Sequence, residues 1–205
     1  MENEIKDTYK IIVSPAVGEI FKDRGSKFIG YAYPVTSEEE VKAHINALKK
    51  EHHTARHWCY AWRMGTSTLK TRANDDGEPS NSAGSPILGQ LVSFDVTNTL
   101  VVVVRYFGGT KLGVGGLINA YRTGAKYALE EANIEARTID KTFILVFEYA
   151  DMNKVMRIIK ENKLRMISQE MEMQCVFKLS IRLKDVPRIQ QIIGDLRKVK
   201  LEVED

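Results

Sequence analysis

The 205-residue sequence is 43% apolar and 28% charged, the balance of an ordinary globular chain, which excludes a disordered or fibrous protein. Its 30 Lys and Arg against 27 Asp and Glu leave a net charge of +3, divided as +1 over residues 1–138 (17 against 16) and +2 over the remainder (13 against 11). No molecule-wide field draws in nucleic acid, so any RNA contact must come from a local patch.

From the amino terminus, Met-Glu-Asn-Glu-Ile-Lys lacks the basic-then-apolar pattern of a signal peptide. Gly25 to Val35 reads as a strand carrying Phe28, Tyr31 and Tyr33 and ending at Pro34. A helix follows, opened by a capping box of Ser37 and Glu40 and carried by Val41, Ile45 and Leu48 at helical spacing. His57 to Arg63 is a short strand with His57, Cys59 and Ala61 on one face and Trp58, Tyr60 and Trp62 on the other. Residues 65 to 86 read as one long polar loop. Leu100 to Tyr106 is a buried strand whose apolar run stops at Arg105, far short of the about 20 residues needed to span a bilayer. Gly115 to Ala132 is a helix with Leu117, Ala120, Tyr121, Gly124, Ala125 and Ala128 along one stripe. The absence of a leader and of a spanning run points to the cytoplasm.

After Arg137 the pattern runs strand (Lys141 to Tyr149), helix (Asp151 to Asn162, capped by Asp151), two strands, helix (Asp185 to Leu196) and strand (Val199 to Val203). That is the βαββαβ order of a ferredoxin-like domain. Apolar residues or cysteine fill the odd positions from Met171 to Leu183, and the dividing turn falls near Glu172 to Gln174. Eight of the 14 glycines fall between Gly77 and Gly116, and only Gly194 follows Gly124. This shift divides an α+β chain into two domains, 1–137 and 138–205. Cys59 and Cys175, the two cysteines, are far apart and suggest reduced thiols rather than a disulfide.

Four segments carry residues suited to chemistry. Arg105-Tyr106-Phe-Gly108-Gly109-Thr-Lys111-Leu-Gly113-Val-Gly115-Gly runs from a strand through a glycine-rich turn into a helix, so bare amides, a helix N-terminus and the Lys111 cation can cradle a phosphate. It is neither a Walker A loop nor a dinucleotide fingerprint, and the plainer reading is a tight connection. Asp75-Asp76-Gly77-Glu78 sets three carboxylates in four residues, which suits a hard cation or an ordered turn; the length of the polar loop favours an interaction surface. His52, His53, His57 and Cys59 suggest zinc or a thiol nucleophile, but no set of partners is complete, so no metal or cofactor is expected. Trp58, Tyr60 and Trp62 beside Arg56, Arg63, Lys70 and Arg72 suit stacking on unpaired bases, or equally sheet packing.

Together, Arg24-Gly-Ser-Lys-Phe28, His57-Trp-Cys-Tyr-Ala61, Asp75-Asp-Gly-Glu-Pro-Ser80 with Ala83, Gly84 and Pro86, and Arg105 to Leu117 with Ala120 and Tyr121 resemble the YigZ/IMPACT family. The resemblance implies an N-terminal domain like ribosomal protein S5 domain 2 and a C-terminal ferredoxin-like domain similar to elongation factor G domain V. It also implies a role in translation, since eukaryotic relatives regulate it by competing for a partner of the kinase that phosphorylates an initiation factor. Where the family has Gly-Thr after Glu-Pro-Ser, this chain has Asn81-Ser82, and Asn is the non-glycine residue that best tolerates the positive φ such a turn needs. The expectation is a non-catalytic binding protein that contacts RNA, the ribosome or a translation-related protein. Its binding residues are Asp75, Asp76, Gly77, Glu78, Arg105, Tyr106, Gly108, Gly109, Lys111, Gly113, Gly115 and Arg122. The rival is a phosphate-handling or hydrolytic enzyme built from Lys111 and the acidic loop.

Overall fold

A computed structural model describes residues 7–204, so the Met1–Lys6 stretch read for a signal pattern lies outside the described residues. The chain divides into two compact units, Tyr9–Arg137 and a second comprising residues 7–8 and 138–204.

The first unit is organised by β7 (Thr99–Tyr106), buried from Thr99 through Arg105 because both faces of its sheet are covered. β7 pairs antiparallel with β4 (Ser26–Pro34) on one side and β5 (His57–Met64) on the other. β2 (Ala16–Val17) and β3 (Phe21–Asp23) share the outer edge of β4, and β6 (Lys70–Asn74) is the edge beyond β5. α1 (Glu38–Glu51) covers one face, where Leu100, Val102 and Val104 meet Val41, Leu48 and Trp62. The other face carries Val101, Val103, Cys59 and Ala61 and lies under α2 (Gly84–Ser93) and α3 (Gly113–Glu130). The two-faced reading of His57 to Arg63 therefore describes β5 as it folds. β1 (Thr8–Ile12) pairs with β8 (Ile134–Thr138) in a separate ribbon.

Small residues set how closely α3 approaches the sheet. A Cβ on Gly30 would lie 2.0 Å from the Gly124 carbonyl oxygen, so helix and strand touch backbone to backbone. The stripe Leu117, Ala120, Tyr121, Gly124, Ala125 and Ala128 is buried there. Tyr121 stands edge-on to Phe28 with ring centroids 5.2 Å apart, an arrangement contributing about 0.5–1.5 kcal/mol beyond area burial.

The second unit is an antiparallel sheet in the order β10 (Arg165–Met171), β11 (Cys175–Arg182), β9 (Asp140–Phe147), β12 (Lys200–Glu204). α4 (Met152–Glu161) and α5 (Val186–Gly194) pack Val155, Ile159, Ile189 and Ile193 on Phe143, Leu145, Phe177 and Leu179. Numbered within the unit, the strands run 4-1-3-2, the ferredoxin-like arrangement. Asp7 pairs with Arg182 at the edge of this unit.

The structure revises several local readings. Residues 65–86 are not one loop: they contain β6 and the first turn of α2. β6 (Lys-Thr-Arg-Ala-Asn) is an exposed edge with no apolar alternation to betray it. α2 starts at Gly84 without a local cap, because the cap comes from Asp75, nine residues upstream. Asp151 stands at the N-cap of α4, but its side chain makes no capping hydrogen bond: the carboxylate accepts from Lys154 Nζ at 2.8 Å, and a single 3-10 turn, Tyr149–Asp151, leads into the helix. Met171, the last residue of β10, and Met173, in the β10–β11 turn at 172–174, are exposed.

Candidate functional site

The acidic loop and the glycine-rich turn meet. Glu78 and Pro79 from one, with Phe107 and Lys111 to Val114 from the other, line an open cleft of about 440 Å³ that Arg56, His57, Arg105 and Leu117 complete. All of it lies in the first unit.

Its floor is set by Glu78. The carboxylate is buried (5% exposed side chain) and its Oε1 accepts from Arg105 Nη1 at 2.5 Å and from the Tyr121 hydroxyl at 2.6 Å. His57 Nε2 lies 3.9 Å from the same oxygen. His57 Nδ1 lies 2.9 Å from the carbonyl oxygen of Asp76, which can only accept, so that nitrogen carries a hydrogen. Arg105 is 4% exposed and its guanidinium lies 5.4 Å from the ring centres of both Phe28 and Phe107. Its Nε is a buried donor without an acceptor.

The remaining acidic residues shape the loop. Asp75 Oδ1 accepts from the amides of Ala83 and Gly84 and Oδ2 from that of Asn81, at 2.8–2.9 Å, satisfying the start of α2. Asp76 Oδ2 accepts from the Trp58 amide at 2.7 Å and ties the loop to β5. Asp76 and Gly77 both have positive φ (43° and 88°), as does Asn81 at 61°, a conformation that Asn tolerates better than most non-glycine residues. Each carboxylate of the loop has N–H or O–H donors as its partners, and among the described residues no group of three or more His, Cys, Asp or Glu is placed to hold a metal ion.

The glycine-rich turn is held at one end and bare at the other. A Cβ on Gly108 would lie 1.9 Å from the Gly25 carbonyl carbon, so this turn sits directly on the β3–β4 hairpin. Gly109 and Gly113 take φ of 87° and 74°, and neither they nor Gly115 would bring a Cβ within 4 Å of another atom. The residue before α3, Leu112, has no side-chain acceptor to cap the helix, and the first turn carries no acid. Phe107 (42% exposed) and Val114 (54%) give the cleft an apolar wall, with Lys111 and Arg56 exposed beside it.

Tyr106 and Arg122 lie elsewhere. The Tyr106 hydroxyl is 2.8 Å from His52 Nδ1 on the α1 side of the sheet, and Tyr31 closes the other side of that ring at 2.7 Å from Nε2. Burial, then Glu51, pushes the Tyr31 hydroxyl up to about 12. Arg122 is exposed on α3. Cys59 is fully buried, its thiol donating to the Asp75 carbonyl oxygen, and burial drives its pKa well above the ordinary thiol value. Burial also raises Tyr121. The aromatic face of β5 is packing rather than platform: Trp62 is 5% exposed, and Trp58 lies half-buried under the Lys49 ammonium at 5.4 Å. Sequence reasoning missed Phe107, Val114 and Pro79 as cleft walls; an aromatic residue beside the glycine run was the available signal.

Fold and cleft together define a class: a two-unit α+β protein that joins a sheet covered on both faces to a ferredoxin-like unit and opens one basic cleft at a strand-to-helix turn. The Impact N-terminal domain family matches residues 24–129, the stretch that builds this cleft. IMPACT family member YvyE of Bacillus subtilis is 30% identical over 88% of this chain and 83% of its own length. IMPACT family member YigZ of Escherichia coli is 28% identical over 94% of this chain and 96% of its own. The crystal structure of a hypothetical protein superposes with a TM-score of 0.66 at 27% identity, covering 97% of this chain and 98% of that one. The chain belongs to the IMPACT family.

Proposed function

We propose that this protein is a non-catalytic binding protein acting in translation or its regulation, and that the cleft between Glu78 and Lys111 is its recognition surface. The observation that carries this reading is the meeting of the acidic loop and the glycine-rich turn at one solvent-open cleft, with exposed cations at its rim and exposed apolar side chains on its wall. Its link to translation comes from family membership and the role that the resemblance implies for eukaryotic relatives. The partners that fit are RNA, the ribosome or a translation-related protein. Binding is favoured over hydrolysis because the thiol and the cleft carboxylate that a hydrolase would use are engaged. The Cys59 thiol is buried and held protonated, and Glu78 is locked by Arg105 and Tyr121. No helix among the described residues is long and apolar enough to cross a membrane.

The test is co-sedimentation of the purified protein with ribosomes across a salt series. Retention that falls as salt rises, and drops further on Lys111→Ala, is the expected result. Retention unaffected by Lys111→Ala would remove the cleft from the interaction, and turnover of a phosphate ester abolished by the same substitution would favour the enzyme.

A further inference from the structure

Gly115 has no structural reason to be glycine. It sits in the first turn of α3 without a positive φ, and an added Cβ meets nothing within 4 Å, although glycine weakens a helix relative to alanine. What glycine does supply is a bare surface over amides that have no intrahelical partner, the arrangement that admits a phosphate. A second observation points the same way. Arg105, 96% buried by its 4% exposure, lines the same cleft with an Nε that has no acceptor, whereas buried donors in folded proteins are almost always paired. Glu78, the carboxylate of the cleft, is already matched by Arg105 Nη1 and the Tyr121 hydroxyl, so Arg56 and Lys111 remain as cations available to an anion. Beside them Phe107 exposes its ring, and aromatic rings next to cations are what unpaired bases stack on.

We propose that the cleft binds one unpaired nucleotide of a single-stranded RNA. The phosphate sits against the amides at the start of α3, with Arg105 Nε and Lys111 beside it, and the base lies on Phe107 and Val114. A cleft of about 440 Å³ falls in the range of small-ligand sites and suits one nucleotide rather than a duplex. The assignment rests on the binding reading above and narrows it to a ligand.

The experiment is fluorescence anisotropy of a labelled ten-nucleotide oligouridylate with the full chain, competed by inorganic tripolyphosphate and by a polyglutamate peptide. Gly115→Ala is expected to weaken binding about tenfold or more, because its methyl group blocks the phosphate, while leaving the melting temperature unchanged or higher. Gly89→Ala, an equally open helical glycine on α2, is expected to leave binding as it is. Phe107→Ala is expected to weaken binding by roughly fivefold to a hundredfold, the loss of one stacking platform. Wild-type affinity in Gly115→Ala, or no measurable oligouridylate binding, overturns the assignment. Equal competition by tripolyphosphate would show a site for charge alone, and displacement by polyglutamate an acidic protein partner; both also overturn it. If ribosome retention persists while oligouridylate does not bind, the binding reading stands and only the nucleotide is lost.

Discussion

The Glu78–Arg105 pair shows how one contact serves both architecture and recognition. Two side chains each 5% exposed have left water for one another, and such a pair is stable only while both members are present. Arg105→Met should therefore cost about 3–5 kcal/mol, since it strands a buried carboxylate, whereas the double variant Arg105→Met with Glu78→Leu should recover most of that loss. Urea unfolding of the three proteins gives the answer. A single-variant loss below about 1 kcal/mol would mean that the pair behaves like an exposed one and does not hold the loop. From the sequence, both residues stand out as functional candidates, but the pairing does not, because 27 residues separate them and nothing in local pattern joins a loop carboxylate to a strand arginine. For the same reason Asp75 reads as a candidate ligand when its oxygens are in fact the cap of a helix that begins nine residues later.

Among the elements, those with their own periodicity were readable and those defined by remote partners were not. α3 carries its apolar stripe in its own sequence, and β7 declares itself as a continuous apolar run. β6 is defined only by pairing with β5, and the start of α2 only by a distant carboxylate, so β6 and the first turn of α2 were hidden in an apparent loop. α1 is a partial case. Ser37 does accept from the Glu40 amide at 3.3 Å, but Glu40 reaches back to the Thr36 amide at 2.6 Å and the Thr36 hydroxyl at 3.2 Å, one residue beyond the Ser37 amide of the expected box. The hydrogen bond from the Thr36 amide is the main reason that the Glu40 pKa lies below the ordinary carboxylate value. A depressed folded-state pKa stabilises the fold at pH values above the unfolded value, and that contribution disappears as pH falls through the folded one. Glu40→Gln should thus lower the melting temperature at pH 7, and the difference from wild type should shrink towards zero as pH drops below 4. A constant difference across that range would assign the effect to packing instead of charge.

At the scale of the whole molecule, each unit closes its own core. One draws on residues between Ile12 and Ile134, the other on residues between Phe143 and Leu201, with no residue shared. Special turns crowd the first unit and regular alternation fills the second. Charge follows a different logic: with a net +3 over 205 residues, attraction to a polyanion has to arise at the cleft rather than from the molecule as a whole. That sets a quantitative expectation for oligouridylate binding. Arg105 is already matched by Glu78, so Arg56 and Lys111 are left to displace counterions, and each phosphate neutralised on a single strand contributes a slope of about −0.7 in log affinity against log salt. The measured slope should be about −1.4, and Lys111→Gln should halve it. Lys42→Gln, on the helix covering the opposite face of the sheet, should leave it unchanged. A slope of about −3 or steeper would require cations beyond the cleft, and would mean that the strand runs across surface that neither the acidic loop nor the glycine-rich turn provides.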